Sequence, residues 1–387
     1  MTTTTADLAP TSQRQPLSLR AITQAISSGK IFFWATSWLL VLLVAGTVAQ
    51  ASIGLYQAQQ EYFSSWVVWI GPLPLPGGNL TMGLIVINLF AALVWRSHWR
   101  WNRLGVIIAH VGALLLFIGG FITAMSASEG ALTIPEGAAS ASVRDYHEVE
   151  LAVIDTSAQD YDAVTAFGGG LLSDGAVLTD AAVPFRIEVE SFYRNATAAR
   201  RMAPATGDEK AFNANWELKG LTLDPEHERN RAGLLVRVTG AGAQDGTYMM
   251  LQDMNVPQAI RAKGKRYEIA LRGRQYELPF TLELVDFEKK VHPGTGMAKA
   301  FKSTVNLIDG DVNRRVVIQM NEPLRHKGYT LYQSSYMQGG RGPETTVLAV
   351  VQNDGRLFPY ISSIVICIGL LLHLLIQVPK LIGRSRA

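Results

Sequence analysis

The sequence predicts a membrane protein in which four transmembrane α-helices carry one large β-rich domain. Of the 387 residues, 48% are hydrophobic and only 17% are charged, whereas a soluble domain has about 25% charged residues. The deficit is concentrated in four apolar runs, and the long stretch between the third and fourth runs alternates with period 2. We therefore expect four spans, with an antiparallel sandwich or barrel-like domain between spans three and four.

Three of the apolar runs reach the roughly 20 residues that a membrane-spanning helix needs. The second run is shorter and contains Asn88, so a re-entrant or interfacial segment is its alternative. The first run is followed by Ala49-Gln50-Ala51, and a cleaved signal peptide is the alternative there, although the run exceeds the usual signal core. The predicted spans are 31–50, 80–95, 104–125 and 357–378.

The positive charges alternate along the chain in the way that four spans with cytoplasmic termini require. The segment from Ala51 to Asn79 carries neither Lys nor Arg. The pattern predicts a multi-pass protein of the bacterial inner membrane, with cytoplasmic tails at 1–30 and 379–387 and the large domain outside the cytoplasm. The charges on the cytoplasmic side are Arg14, Arg20, Lys30, Arg96, Arg100, Arg103, Lys380, Arg384 and Arg386.

The predicted extracytoplasmic domain covers residues 126–356. Turn signals at Asp309-Gly310, Lys327-Gly328 and Asp354-Gly355 separate short alternating stretches, and the Gly- and Ala-rich segment 167–175 is expected to be a loop. No long stretch shows helical periodicity, and the domain is expected to form one or two lobes. The stretches with the clearest alternation are 185–190, 304–307, 316–320, 330–336 and 346–351.

Cysteine usage excludes several functions. The single cysteine, Cys367, lies inside the fourth span, so the domain has no disulfide. The chain has no Cys-x-x-Cys pair and no Cys-x-x-Cys-His haem-attachment site, which excludes a thiol oxidoreductase and a c-type cytochrome. It also has no phosphate-binding loop, zinc motif or nucleophile elbow.

Two of the seven histidines lie within predicted spans, where an ionisable residue is a candidate functional group. His110 is the seventh residue of the third span and His373 the sixth from the end of the fourth, which places both roughly 8–10 Å from the cytoplasmic face. Neutral imidazole is a good axial ligand for haem iron. An interhelical hydrogen bond is the alternative role for each. Glycines of the third span could let a flat macrocycle approach: Gly105, Gly112, Gly119 and Gly120.

The other histidines show no ligand spacing. His98 lies among arginines and is expected to contact solvent or headgroups. The remaining four lie in the external domain and are expected to be surface or structural residues: His147, His227, His292 and His326.

Several segments resemble the ResB family (CcsB-type) of cytochrome c biogenesis proteins of system II. The resemblance extends over essentially the whole chain from Ile31, in the same order and topology, and is specific as a set. The segments that carry it are Ala49–Phe63, Pro74–Gly78, Arg103–Gly112, Pro293–Ser303, Met320–Leu324 and Gly328–Tyr336.

This resemblance implies a subunit of a membrane cytochrome c synthase that helps export haem and present it for covalent attachment to apocytochrome c. It implies transient binding of haem b, with His110 as the transmembrane axial ligand and no catalytic residue of its own. The implied partner is a haem-handling membrane protein of the ResC/CcsA type with a tryptophan-rich motif, which normally supplies the opposing histidine. His373 is the alternative second ligand, suggested by its depth alone. The chain would be one part of a two-component holocytochrome c synthase rather than an enzyme by itself.

Two other classes of function are compatible with the residues. One is a b-type electron-transfer subunit, in which His110 and His373 hold haem permanently. The other is a membrane-anchored assembly scaffold that never touches haem. Whether the purified protein carries haem alone, only with its partner, or never separates the three.

Overall fold

A computed structural model describes residues 19–97, 99–202, 206–254, 257–294, 298–338 and 343–384. Arg14, His98, Arg386 and most of the N-terminal tail therefore lie outside the described residues. The chain forms two compact units. The first contains the described residues up to Thr47, Gln59–Ile122 and those from Gly355 onward, and the second contains Val48–Ala58 and Thr123–Asp354.

Six α-helices occur in the described residues, and all but the short α3 contribute to four stretches that are long and apolar enough to cross a membrane. This confirms the predicted number of spans, including the second. The stretches are Leu19–Ile53, Gly78–Arg96, Trp101–Ser126 and Phe358–Pro379. The helices are α1 (Leu19–Ile26), α2 (Gly29–Ile53), α3 (Leu55–Ala58), α4 (Gly78–Ala91), α5 (Leu104–Ser126) and α6 (Phe358–Arg384).

The first unit explains why a polar residue lies in the second span. Asn88 is buried, and its Nδ2 donates hydrogen bonds to the backbone oxygens of Ile26 and Ser28, where α1 ends and α2 begins. The Ser28 carbonyl also accepts the Ile31 backbone N–H at 3.1 Å. The amide therefore satisfies polar groups at the break between the two helices that would be costly to bury without a partner. Arg96 donates to the backbone oxygen of Ser27 at 3.2 Å. The basic ends of the first two spans therefore meet.

The first unit also contains a short hairpin that the sequence did not reveal. It joins β1 (Val67–Ile70) to β2 (Leu73–Pro76) between the first two spans. Trp38 Nε1 in α2 donates to the carbonyl oxygen of Pro76 at 2.8 Å, so the hairpin is fixed against the first span.

The second unit contains sixteen strands among its described residues, which confirms the predicted β-rich domain between spans three and four. All pairings between its strands are antiparallel. The strands are β3 (Ser128–Pro135), β4 (Ala139–Asp155), β5 (Ala163–Gly168), β6 (Val177–Leu178), β7 (Arg186–Tyr193), β8 (Ala196–Arg200), β9 (Trp216–Gly220), β10 (Gly233–Thr239), β11 (Gly246–Leu251), β12 (Gln258–Ala262), β13 (Lys265–Val291), β14 (Ala298–Asp309), β15 (Val312–Gln319), β16 (Leu324–His326), β17 (Tyr329–Gln338) and β18 (Glu344–Gln352).

Two hydrophobic cores divide this unit into two lobes, and the long strands β4 and β13 contribute to both. A ten-stranded sheet runs in the order β15-β14-β13-β4-β3-β18-β17-β16, with β5 and β12 paired to β4 and β13. One part of this sheet curls around its own core. The other part packs against a four-stranded sheet in the order β11-β10-β7-β6.

Bulges let one strand serve both cores. Along β13 the buried residues Ile269 and Leu271 occupy odd positions, whereas Leu282 and Leu284 occupy even ones. The ladder to β4 shifts register between Gly273 and Gln275. The ladder shifts again between Glu277 and Leu282, and the buried positions change from odd to even between Gly273 and Leu278. This irregular stretch of the ladder therefore moves the apolar set from one core to the other.

Most of the sequence-predicted alternating stretches lie in strands β7, β14, β15, β17 and β18. The predicted loop at 167–175 begins as the end of β5 and a 3-10 turn at Gly169–Leu171, because Phe167 is buried in a core. The C-terminal segment from 379, expected as a tail, continues as helix to Arg384.

Candidate functional site

The third and fourth spans pack through a stripe of glycines on α5. A Cβ placed on Gly105 would lie 2.6 Å from both His373 Cα and the Gly369 carbonyl oxygen, and one on Gly112 would lie 2.7 Å from Ile366 Cγ1. Gly119 faces Phe358 in the same way. Glycines seven residues apart stay on one helix face, and small residues allow two membrane helices to approach closely.

This packing corrects one expectation. Gly105, Gly112 and Gly119 were expected to admit a flat macrocycle, but α6 occupies the space in front of them. Gly120 is exposed, and a Cβ there would meet nothing within 4 Å. Three of the four glycines therefore serve helix packing.

His373 lies on the face of α6 that meets this stripe. Its backbone contacts Gly105. Its Nδ1 is buried and has no hydrogen-bond partner among the described residues. A buried imidazole nitrogen without such a partner is unusual.

His110 points in another direction. Its side chain is exposed on α5, and Nδ1 lies 2.7 Å from the backbone oxygen of Val106. A carbonyl only accepts hydrogen bonds, so Nδ1 carries the proton and donates it, which leaves the lone pair of Nε2 free. Metal-binding histidines are fixed in the same way, by donating the other ring N–H to a carbonyl.

The structure does not bring His110 and His373 together on one side of α5. At about 100° per residue, His110 lies roughly 140° around the helix from Gly105 and 160° from Gly112. It therefore faces away from α6, while His373 faces the glycine stripe. A single haem held between these two imidazoles does not fit this arrangement.

A single haem-iron ligand at His110 does fit the chemistry of the site. The ring presents one free nitrogen in a fixed tautomer, and the exposed neighbours on α5 are the apolar residues Val106 and Val111. An apolar macrocycle lying on this face would find one ligand with apolar side chains beside it.

A second site in the other unit brings together residues that are distant in sequence. The rings of Tyr56 and His147 stack with centres 4.2 Å apart and planes 12° apart. His227 lies 4.5 Å from Tyr56 and 4.9 Å from His147, centre to centre. We call these three residues the histidine–tyrosine cluster.

A bulge in β4 places His147 in this cluster. In the ladder to β13, Val149 pairs with Gly273 and Arg144 with Gln275, so 145–148 stand opposite one residue. The Asp145 side chain accepts the backbone N–H of His147 at 2.8 Å and that of Glu148 at 2.9 Å. These bonds satisfy backbone groups that the bulge removes from the ladder.

His227 is held by a closed loop. Asn230 Oδ1 accepts the backbone N–H of Asp224 at 2.8 Å, and its Nδ2 donates to the Asp224 carbonyl at 2.9 Å. Gly54, with φ of +80°, lies against Pro225, where a Cβ would be 2.8 Å from the carbonyl carbon. Only glycine combines this conformation with this approach, which brings Tyr56 onto the loop.

The electrostatics of the cluster favour neutral rings. Burial, and then the nearby His147, lower the pKa of His227. Burial and the carboxylates of Asp145 and Glu148 raise the pKa of the Tyr56 phenol, with Arg194 opposing them. The His227 imidazole is therefore uncharged near neutral pH.

Sequence reasoning missed this cluster. His147 and His227 were expected to be surface or structural residues, because nothing in their spacing links positions so far apart. The one available signal was that Gly54 and Tyr56 both lie in a segment that carries the family resemblance. The other two histidines behave as expected, and His326 Nε2 contacts Asp309 Oδ2 at 2.8 Å.

Comparison with known proteins adds two findings. The ResB-like family model matches residues 232–347, which lie in the β domain and include neither span histidine. Protein NrfI of Wolinella succinogenes is 24% identical over 303 residues, which covers 76% of this chain. The chain spans only 30% of the length of NrfI.

Proposed function

We propose, from the premise that this chain is a member of the ResB-like family, that it is a cytochrome c biogenesis subunit. More specifically, we propose that it is a subunit of a membrane cytochrome c synthase and that it helps to export haem and present it to apocytochrome c. One observation supports this most strongly. His110 carries a free Nε2 on an exposed, apolar face of a membrane-spanning helix.

Each residue around His110 has a defined part in this proposal. The Val106 carbonyl accepts a hydrogen bond from the Nδ1–H group and so holds Nε2 ready as a ligand. The apolar side chains of α5 keep water from the ligand position. Haem, when bound, supplies the vinyl groups to which the two cysteine thiols of the apoprotein add. The protein's contribution is to position the reactants.

The proposal requires a partner. His110 faces away from α6, so the second axial ligand comes from another chain that packs on the exposed face of α5. A haem-handling protein of the ResC/CcsA type, with a tryptophan-rich motif, is the partner that the family resemblance implies. A b-type electron-transfer subunit would need both ligands in this chain, and the separated faces of His110 and His373 give that function no support.

The orientation is also part of the proposal. We infer that both termini are cytoplasmic and that the β domain is outside, because 51–79 lacks Lys and Arg. A reporter active only outside the cytoplasm should work when fused after Asn79 or within 126–354, and should be silent after Arg100. Activity after Arg100 would contradict the orientation.

A cell-based assay of c-type cytochrome maturation tests the function. His110→Ala should abolish maturation while the protein remains inserted and folded in the membrane. Added imidazole should partly restore maturation by filling the vacated ligand position. Leu116→Ala, which removes an exposed side chain from the same helix, is the matched control and should mature cytochromes normally.

Other outcomes separate the alternatives. His373→Ala should have the weaker effect if the partner supplies the second ligand, and an equal effect if His373 is that ligand. Normal maturation by an inserted His110→Ala protein would favour a scaffold that does not touch haem. His110 would then be an ordinary polar residue of the span.

A further inference from the structure

The histidine–tyrosine cluster has no part in the proposed function. It combines two imidazoles on different segments, one exposed and one half-buried, with rings in contact. In the described part of the chain, the hydrogen bonds that hold these segments come from backbone, Asn and Asp groups, and none comes from a ring nitrogen of His147 or His227. The ring nitrogens of both histidines are therefore available to bind a ligand.

The separation of the two rings indicates what they can bind. With metal–nitrogen bonds of about 2.1 Å, two neighbouring imidazoles on one ion have ring centres roughly 4.5 Å apart at the right angle of a tetragonal site and roughly 5 Å apart at a tetrahedral angle. The observed separation of His147 and His227 is 4.9 Å. Two imidazoles on opposite sides of a haem iron would have ring centres more than about 6 Å apart. The spacing therefore favours one small ion over a haem between the rings.

The surrounding groups favour a cation. Three carboxylates lie near the rings, those of Asp145 and Glu148 beside Tyr56 and that of Glu228 beside His227. Two cations oppose them, Arg194 and the Arg274 that pairs with Glu148. The described residues contain no group of three or more His, Cys, Asp or Glu side chains placed to hold a metal. The cluster thus offers two ligands and leaves the other coordination positions to water.

We propose that His147 and His227 form an open site for a single transition-metal ion that prefers imidazole, with Cu(II) bound most tightly and Zn(II) less so. Tyr56 stacks on His147 and orients it without binding the ion. Because Tyr56 lies three residues beyond the end of α2, metal binding would also fix the segment Leu55–Ala58. Binding uses neutral imidazole lone pairs and involves no redox step.

The test is a Cu(II) titration of the purified full-length protein, without a polyhistidine tag, followed by electron paramagnetic resonance. We expect one ion per chain, with hyperfine splitting from two nitrogen donors. His147→Ala and His227→Ala should each weaken binding by at least about tenfold, since even outer-shell partners of metal ligands are worth about 10–100-fold. His326→Ala, which removes a histidine outside the cluster, should bind as the wild type does.

Three results would overturn the proposal. They are no stoichiometric binding by the wild-type protein, unchanged binding in both His147→Ala and His227→Ala, or binding of added haemin at these two residues in place of Cu(II). If an alanine variant fails to fold, His147→Gln and His227→Gln keep the side-chain bulk while removing the imidazole. This measurement does not involve cytochrome maturation. A finding that His110 is not a haem ligand would therefore leave the metal-binding result unaffected, and a failure to bind metal would leave the proposed role of His110 unaffected.

Discussion

The close packing of α5 on α6 makes a sharp prediction for Gly105. In Gly105→Ala, the new Cβ would lie 2.6 Å from His373 Cα and from the Gly369 carbonyl oxygen. Both atoms belong to the backbone of α6 and cannot rotate away. The two helices must therefore separate by about 1 Å to restore normal contact.

The size of the effect follows from that separation. A gap of 0.5–1 Å forfeits roughly a quarter to a half of each dispersion contact along the stripe, and overpacked sites cost about 1–3 kcal/mol. We expect the upper part of this range, about 2–3 kcal/mol. Gly120→Ala is the matched control, because its Cβ meets nothing within 4 Å, and it should be neutral or stabilising by up to about 1 kcal/mol.

The assay is the apparent melting temperature of the two variants in the same detergent at the same heating rate. Gly105→Ala should melt roughly 4–8 °C below the wild-type protein, while Gly120→Ala should not fall below it. Equal melting temperatures for Gly105→Ala and Gly120→Ala would refute the proposed role of the stripe. His110 is not touched by either change, so the pair also separates helix packing from ligand loss.

Three further predictions concern other parts of the molecule. Asn88→Leu should lower the free energy of unfolding by about 1–3 kcal/mol, and with it the melting temperature, because the carbonyl of Ile26 loses its hydrogen-bond donor. A melting temperature equal to that of the wild-type protein would contradict this. Gly54→Ala should speed hydrogen exchange in 55–58, because alanine is strained at φ of +80° and clashes with Pro225, and protection equal to wild type would argue against it. The pKa of His227 lies below its ordinary 6.5, so the unfolded chain binds more protons as pH falls through and below 6.5. The contribution of His227 to the free energy of unfolding should therefore be fully present above pH 6.5 and should decline below it. Melting from about pH 7.5 to about pH 5.5 should decline less in His227→Gln than in wild type, and identical declines would exclude the effect.

The spans could be predicted because apolar length is a local property of the sequence. The alternation that predicted β17 and β18 is equally local, since each residue's face is set by its neighbours. The exact span ends differ by a few residues: α2 ends at Ile53 rather than 50, because a helix continues past the apolar run until Gly54 breaks it.

The histidine–tyrosine cluster could not be predicted, because it depends on contacts distant in sequence. His147 lies in a bulge of β4, and that bulge exists only because β4 pairs with the distant strand β13. His227 is placed by a loop closed through Asn230. Likewise, the glycines of α5 gave a pattern, but only the position of α6 decides what they face.

The most direct test of the central claim is the visible absorption spectrum of the protein purified together with its haem-handling partner. We predict that the wild-type complex carries haem with two axial nitrogen ligands. The complex with His110→Ala should lose haem, or hold it with one ligand fewer until imidazole is added. A His110→Ala complex with the wild-type haem content and spectrum would show that His110 is not the ligand, and would contradict the account.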